Sequence, residues 1–90
     1  MLKKFKITKD YIVQEFEDDR ILIDPDTSEV FILNISAWNI FLQLDGTHTI
    51  SEIIKSFAEQ YPDTNLEVIS QDIIETMEEF KQLGIVLEWG

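Results

Sequence analysis

The chain holds one histidine, His48, and no cysteine. That leaves no thiolate for a metal, no cysteine nucleophile and no disulfide. A lone histidine without an HExxH-type pair gives neither a zinc site nor a charge-relay triad. His48 is expected in a turn between helices. No glycine-rich phosphate loop is present. The neighbouring carboxylates Glu17, Asp18 and Asp19 fall in a turn-like stretch, which is a poor setting for paired acid–base chemistry. Catalysis is therefore not expected, nor is a cofactor or a metal. What remains is recognition by backbone edges and apolar pockets.

Charge narrows the partner. Seven Lys and Arg face eighteen Asp and Glu, for a formal net charge of −11. Three of the cations sit in Lys3-Lys4-Phe5-Lys6, and the rest of the chain is acidic. Binding to nucleic acid needs a basic face that displaces counterions from phosphates, so DNA is an unfavourable partner. The basic N-terminus lacks the apolar core of a signal peptide, and no stretch approaches the ~20 apolar residues of a membrane span. A soluble, cytoplasmic protein is expected. Its 90 residues, 44% of them hydrophobic, suffice for one domain with one core, residues 1–90.

The elements that must position any site follow from local signals. Residues 11–16, 20–24 and 29–33 read as strands joined by the turns Glu17–Asp19 and Asp24–Ser28, where Pro25 presets φ. Turns this short make an antiparallel meander. Asn34 or Ser36 caps a first helix over about 35–44, stopped by Asp45-Gly46. Thr49 and Glu52 form a capping box for a second helix over about 50–60, whose Ile50, Ile53, Ile54, Phe57 and Ala58 make one apolar stripe. Thr64-Asn65-Leu66-Glu67 reads as a further capping box, and a third helix runs over about 65–83 with Gly84 as its C′ residue. A short strand or tail, Ile85–Glu88, closes the chain. Trp89, near the terminus, is assigned no packing role. The class is α+β: a three-stranded antiparallel sheet followed by three helices, in the manner of a winged helix-turn-helix.

Two features exceed what a core needs. Glu29-Val30-Phe31-Ile32-Leu33 is apolar on both faces, whereas a half-buried strand alternates. In the third helix Ile69, Ile73 and Phe80 make a core stripe, while Met77 falls ~80° and Ile74 ~140° from Ile69, with Ser70 and Lys81 between them. A groove between the strand 29–33 and the flank carrying Ser70, Ile73, Ile74, Met77 and Lys81 would accept an extended peptide. Lys81 would pair with a peptide carboxylate, or serve only as a solvated helix-end cation. Asp72 lies on the other side of the stripe from Ile74 and is read as outside the groove. Glu75, Glu78 and Glu79 are read as a solvated face, and Trp38 as core.

The run "ILIDPDTSEVFILNISAWNIFLQLDGTHTISEII" resembles the PqqD-like proteins, also called RiPP recognition elements. The matching positions are Asp24, Leu33-Asn34, Trp38, Leu44-Asp45-Gly46, Thr49 with Ile53, Asp72, and the close Leu83-Gly84-Ile85-Val86. The resemblance covers about residues 11–88. It implies a winged helix-turn-helix that binds no DNA. It implies binding of the leader segment of a ribosomally synthesised precursor peptide as an added strand on 29–33, against the last helix. The bound leader would then be presented to a maturation enzyme such as a radical SAM protein, a cyclase or a leader protease, in lasso-peptide or similar natural-product pathways. A monomer or weak dimer fits this role. Two rival readings are an adaptor that binds a folded partner and no leader, and a DNA-binding regulator, against which Glu67, Asp72, Glu75, Glu78 and Glu79 on the third helix argue.

Overall fold

The computed structural model describes residues 3–89, with the Trp89 side chain outside the described set. Two small sheets and three helices share one core. The first sheet is the expected meander: β2 (Ile12–Phe16), β3 (Asp19–Ile23) and β4 (Val30–Leu33), antiparallel in that order. Its β3–β4 turn is pinned by Asp24, a buried carboxylate that accepts from the backbone N–H groups of Asp26 and Thr27 and from Lys9 Nζ at 2.6 Å.

The helices follow their signals. α1 (Ile35–Phe41) is capped by Asn34, whose side chain accepts from the Ala37 N–H at 2.8 Å. α2 (Ile50–Gln60) begins with the expected capping box, with Thr49 and Glu52 bonding reciprocally. α3 (Leu66–Gln82) starts on Asn65 rather than on a Thr64 box: the Asn65 side-chain oxygen accepts from the Glu67 N–H at 2.7 Å and so fills the cap position. It ends in a Schellman motif. Gly84 takes φ +75°, the Ile85 N–H donates to the Phe80 carbonyl, and the Gly84 N–H donates to that of Lys81.

A second sheet departs from the sequence expectation. β1 (Lys4–Ile7) lies between β5 (Asp45–Thr49) and β6 (Val86–Trp89), antiparallel to both. The Asp45-Gly46 stretch is thus not a simple stop. α1 ends at Phe41, and His48 belongs to a strand rather than to a turn between helices. There His48 Nδ1 lies 3.0 Å from Asp45 Oδ1 on the same strand, a local contact with no reacting partner.

The core joins both sheets to the helices. Phe5, Leu22, Leu33, Ile40, Ile53, Phe80 and Ile85 are all buried. Trp38 is half-buried at its margin, stacked on Phe41 at 5.3 Å, with the Arg20 guanidinium 5.9 Å from its ring.

Candidate functional site

The strand that is apolar throughout resolves into two faces by burial. Leu33 is buried and Phe31 half-buried, both on the helix side of the meander. Val30 and Ile32 are 56% and 68% exposed on the opposite side. Ile12, Ile21, Ile23 and Phe16 share that outer face by register, since directly paired residues project the same way. The meander therefore carries apolar residues on its outer surface that no described element covers.

Register also fixes the backbone edge. The Asp24 N–H donates to the Glu29 carbonyl, and the pairing continues as Ile23↔Val30, Leu22↔Phe31 and Ile21↔Ile32. Hydrogen-bonded and non-bonded pairs alternate in an antiparallel ladder. The peptide groups of Phe31 thus face β3, while the N–H and C=O groups of Val30 and Ile32 point away from it. β4 is the last strand of its sheet, so these groups form an open edge.

Opposite that edge stands α3. A cleft of about 610 Å³ separates them, with β4 as one wall and Ala37 and Phe80 at its base. The helix wall consists of Asp72, Glu75, Thr76, Glu79 and Leu83. Adjoining it, and sharing Ser36 and Asp72, is a smaller pocket of about 180 Å³ formed chiefly by Ile40, Phe57, Ile69 and Ile73.

This wall is the other flank of α3 from the one the sequence suggested. Val30, Phe31, Ile32 and Leu33 line the cleft as expected, and Glu29 lies just before them, outside its lining. Ile73 and Met77 are core residues, Met77 only 1% exposed. Ser70, Ile74 and Lys81 lie away from the cleft lining. Lys81 turns towards the second sheet, 3.4 Å from Glu88 and 5.5 Å from the Phe5 ring centroid. The physical reason is the unforeseen sheet. β1 and β6 occupy the side of α3 on which Lys81 lies, and the core stripe rotates to meet them. Asp72, Glu75 and Glu79 are left facing β4. Their signal was present in the sequence as an acidic face, but a charged face reads as solvated until a wall is found opposite it.

A PqqD family model, described as coenzyme PQQ synthesis protein D, matches residues 11–86. The chain belongs to the PqqD family. Solved structures share its fold. One, "TbiB1 in complex with the TbiA(beta) leader peptide", is 16% identical with a TM-score of 0.73, over 90% of this chain and 93% of that one. Another, "Lasso peptide synthetase B1 complexed with the leader peptide", is 20% identical with a TM-score of 0.75, over 93% and 98%. The heterocyclase TruD is 17% identical with a TM-score of 0.64; 97% of this chain aligns to only 12% of that one, so there the PqqD fold is one part of a much larger chain. No curated protein matches by sequence. The matched segment begins at Tyr11 and takes in the meander and the three helices, so both walls of the cleft lie within it. No helix among the described residues is long and apolar enough to cross a membrane.

Proposed function

We propose that this PqqD-family chain binds the leader segment of a ribosomally made precursor peptide as an additional strand on β4, against α3. It then presents the peptide to a maturation enzyme such as a radical SAM protein, a cyclase or a leader protease. The observation that carries the reading is the open edge of Val30 and Ile32 facing a helix across a cleft of about 610 Å³. Backbone bonds at such an edge give affinity without reading sequence, and alternate side chains entering the cleft give selectivity. Two structures of the same fold are described as leader-peptide complexes, which supports the assignment.

The role is binding rather than catalysis. Membership of the PqqD family and the two leader-peptide complexes of the same fold support that role. The acidic helix wall disfavours a nucleic-acid partner, whose phosphates it would repel. With the cleft filled, the outer meander face around Ile12, Phe16 and Ile32 is an apolar sheet surface still open, and there the maturation enzyme would dock. TruD, in which this fold sits inside a heterocyclase chain, supports an enzyme as the occupant.

The test is titration of the ¹⁵N-labelled chain with the leader of a small precursor peptide encoded beside its gene. Amide shifts should concentrate at residues 29–33 and 72–83. Shifts confined to α2 or the second sheet would refute the groove.

A further inference from the structure

The cleft has an unusual division of charge. Its strand side offers the backbone edge of Val30 and Ile32 beside the Phe31 side chain, and its base is apolar, through Ala37 and Phe80. Its helix wall presents three carboxylates within two turns: Asp72, Glu75 and Glu79. Among the described residues no Lys or Arg lies within ion-pair distance of any of the three. The Lys81 ammonium is engaged with Glu78 and Glu88 instead. Glu75 accepts only from the neutral Gln71 amide, at 2.9 Å.

In the free protein these carboxylates are exposed and hydrated. A strand laid on β4 changes that, because it takes the water from the space between the walls. A carboxylate that loses water without gaining a cation is costly, so a neutral or acidic guest is penalised and a basic one is not. The spacing sharpens the demand. Guest side chains that point to the helix recur every second residue, about 6.6–6.8 Å apart. Glu75 and Glu79 are one helical turn apart, about 6 Å along the axis. A guest strand running alongside the helix would set two successive inward positions against the two glutamates. Asp72 lies farther along the same wall, beside the smaller apolar pocket.

We propose that the guest carries Lys or Arg at two inward positions separated by one residue, facing Glu75 and Glu79, and an apolar side chain next to them that enters the pocket beside Asp72. This rests on the leader-carrier reading and gives that leader a chemical class: a locally cationic segment, complementary to a chain of net charge −11.

The experiment is selection of random twelve-residue peptides by display on the intact chain, followed by titration of synthetic winners. Winners should hold a basic-x-basic pattern. Replacing both basic residues by Gln, or raising salt from about 0.05 to 0.5 M, should weaken binding roughly tenfold or more. The near-isosteric triple variant Asp72→Asn, Glu75→Gln, Glu79→Gln substitutes exposed side chains and keeps the fold, and it should select no basic pattern. Peptides that shift the Val30 and Ile32 amides without any basic preference would overturn this inference and leave the carrier reading intact. Failure of every peptide to shift those amides would remove the carrier reading and this inference together. A concentration-dependent dimer protecting the same amides would assign the cleft to a second copy and overturn both.

Discussion

Asp24 shows how one residue shapes the site from a distance. Its carboxyl is held down to about 2, first by the Lys9 ammonium and then by the backbone N–H groups of Asp26 and Thr27. A folded-state value below the unfolded one means stabilisation that is complete above about pH 4 and is lost as pH falls towards 2. Asp45, also lowered to about 2, mainly by the Thr47 hydroxyl, acts in the same window. Asp24→Asn should therefore lower the denaturation midpoint at neutral pH. The gap from wild type should narrow as the pH drops from 4 to 2, read from urea melts across that range; a constant gap would remove the ionised carboxylate from the account. Gly84 is a second single-residue case. A Cβ there would meet nothing within 4 Å, so the cost of Gly84→Ala is the φ of +75° alone. A loss of about 1 kcal/mol is expected in the same melts.

At the scale of the element, the register of β4 makes a sharp prediction. The Ile32 N–H points to the open edge and that of Phe31 points to β3. Proline is tolerated at an edge only where its missing N–H faces outward. Ile32→Pro should keep the fold, by circular dichroism and melting, yet weaken leader binding about fivefold or more, the worth of roughly one backbone hydrogen bond. Phe31→Pro removes a ladder bond to Leu22 and should cost about 3 kcal/mol of stability. If both variants bind and melt alike, the guest does not use this edge. Much of the element scale was readable in advance. Asn34, the Thr49–Glu52 box and Gly84 delimit helices through bonds that span only a few residues. β5 was not readable, because Asp45-Gly46-Thr47-His48-Thr49 has no apolar side chain and becomes a strand only by pairing with β1. β1 alternates Lys and apolar residues, a period-2 pattern that its basic charge masked.

For the molecule as a whole, what matters is which surfaces remain open once the core is formed. The molecule is only 18 Å thick in its shortest dimension, so the meander is covered by helices on one side and bare on the other. Phe16→Gln and Ile12→Gln lie on the bare side, on β2, the strand at the far edge of the sheet from β4. These changes should leave the leader Kd within about twofold of wild type, since surface substitutions away from a contact are usually small. They should slow processing of the leader-bound precursor by the neighbouring maturation enzyme at least several-fold, as loss of a docking contact would. Unchanged processing would place the enzyme on another face. Net charge also belongs to this scale. Eleven excess negative charges keep free copies apart while the β4 edge is unpaired, which offsets the tendency of open edges to pair with one another.

The sequence by itself determined the local units. The three meander strands, α2 and α3, most caps and the excess apolarity of Val30–Leu33 rest on interactions between residues close in the chain, so periodicity and capping chemistry carry them. The resemblance to PqqD-like proteins was legible in the same way, from short motifs in a fixed order. Only the tertiary structure decided which flank of α3 faces β4. That choice depends on the pairing of β1 with β5 and β6, contacts between chain segments some forty to eighty residues apart. By placing the second sheet on the Lys81 side, those contacts turned Ile73 and Met77 into core. They also left Asp72, Glu75 and Glu79, still exposed, as the helix wall of the cleft that faces β4.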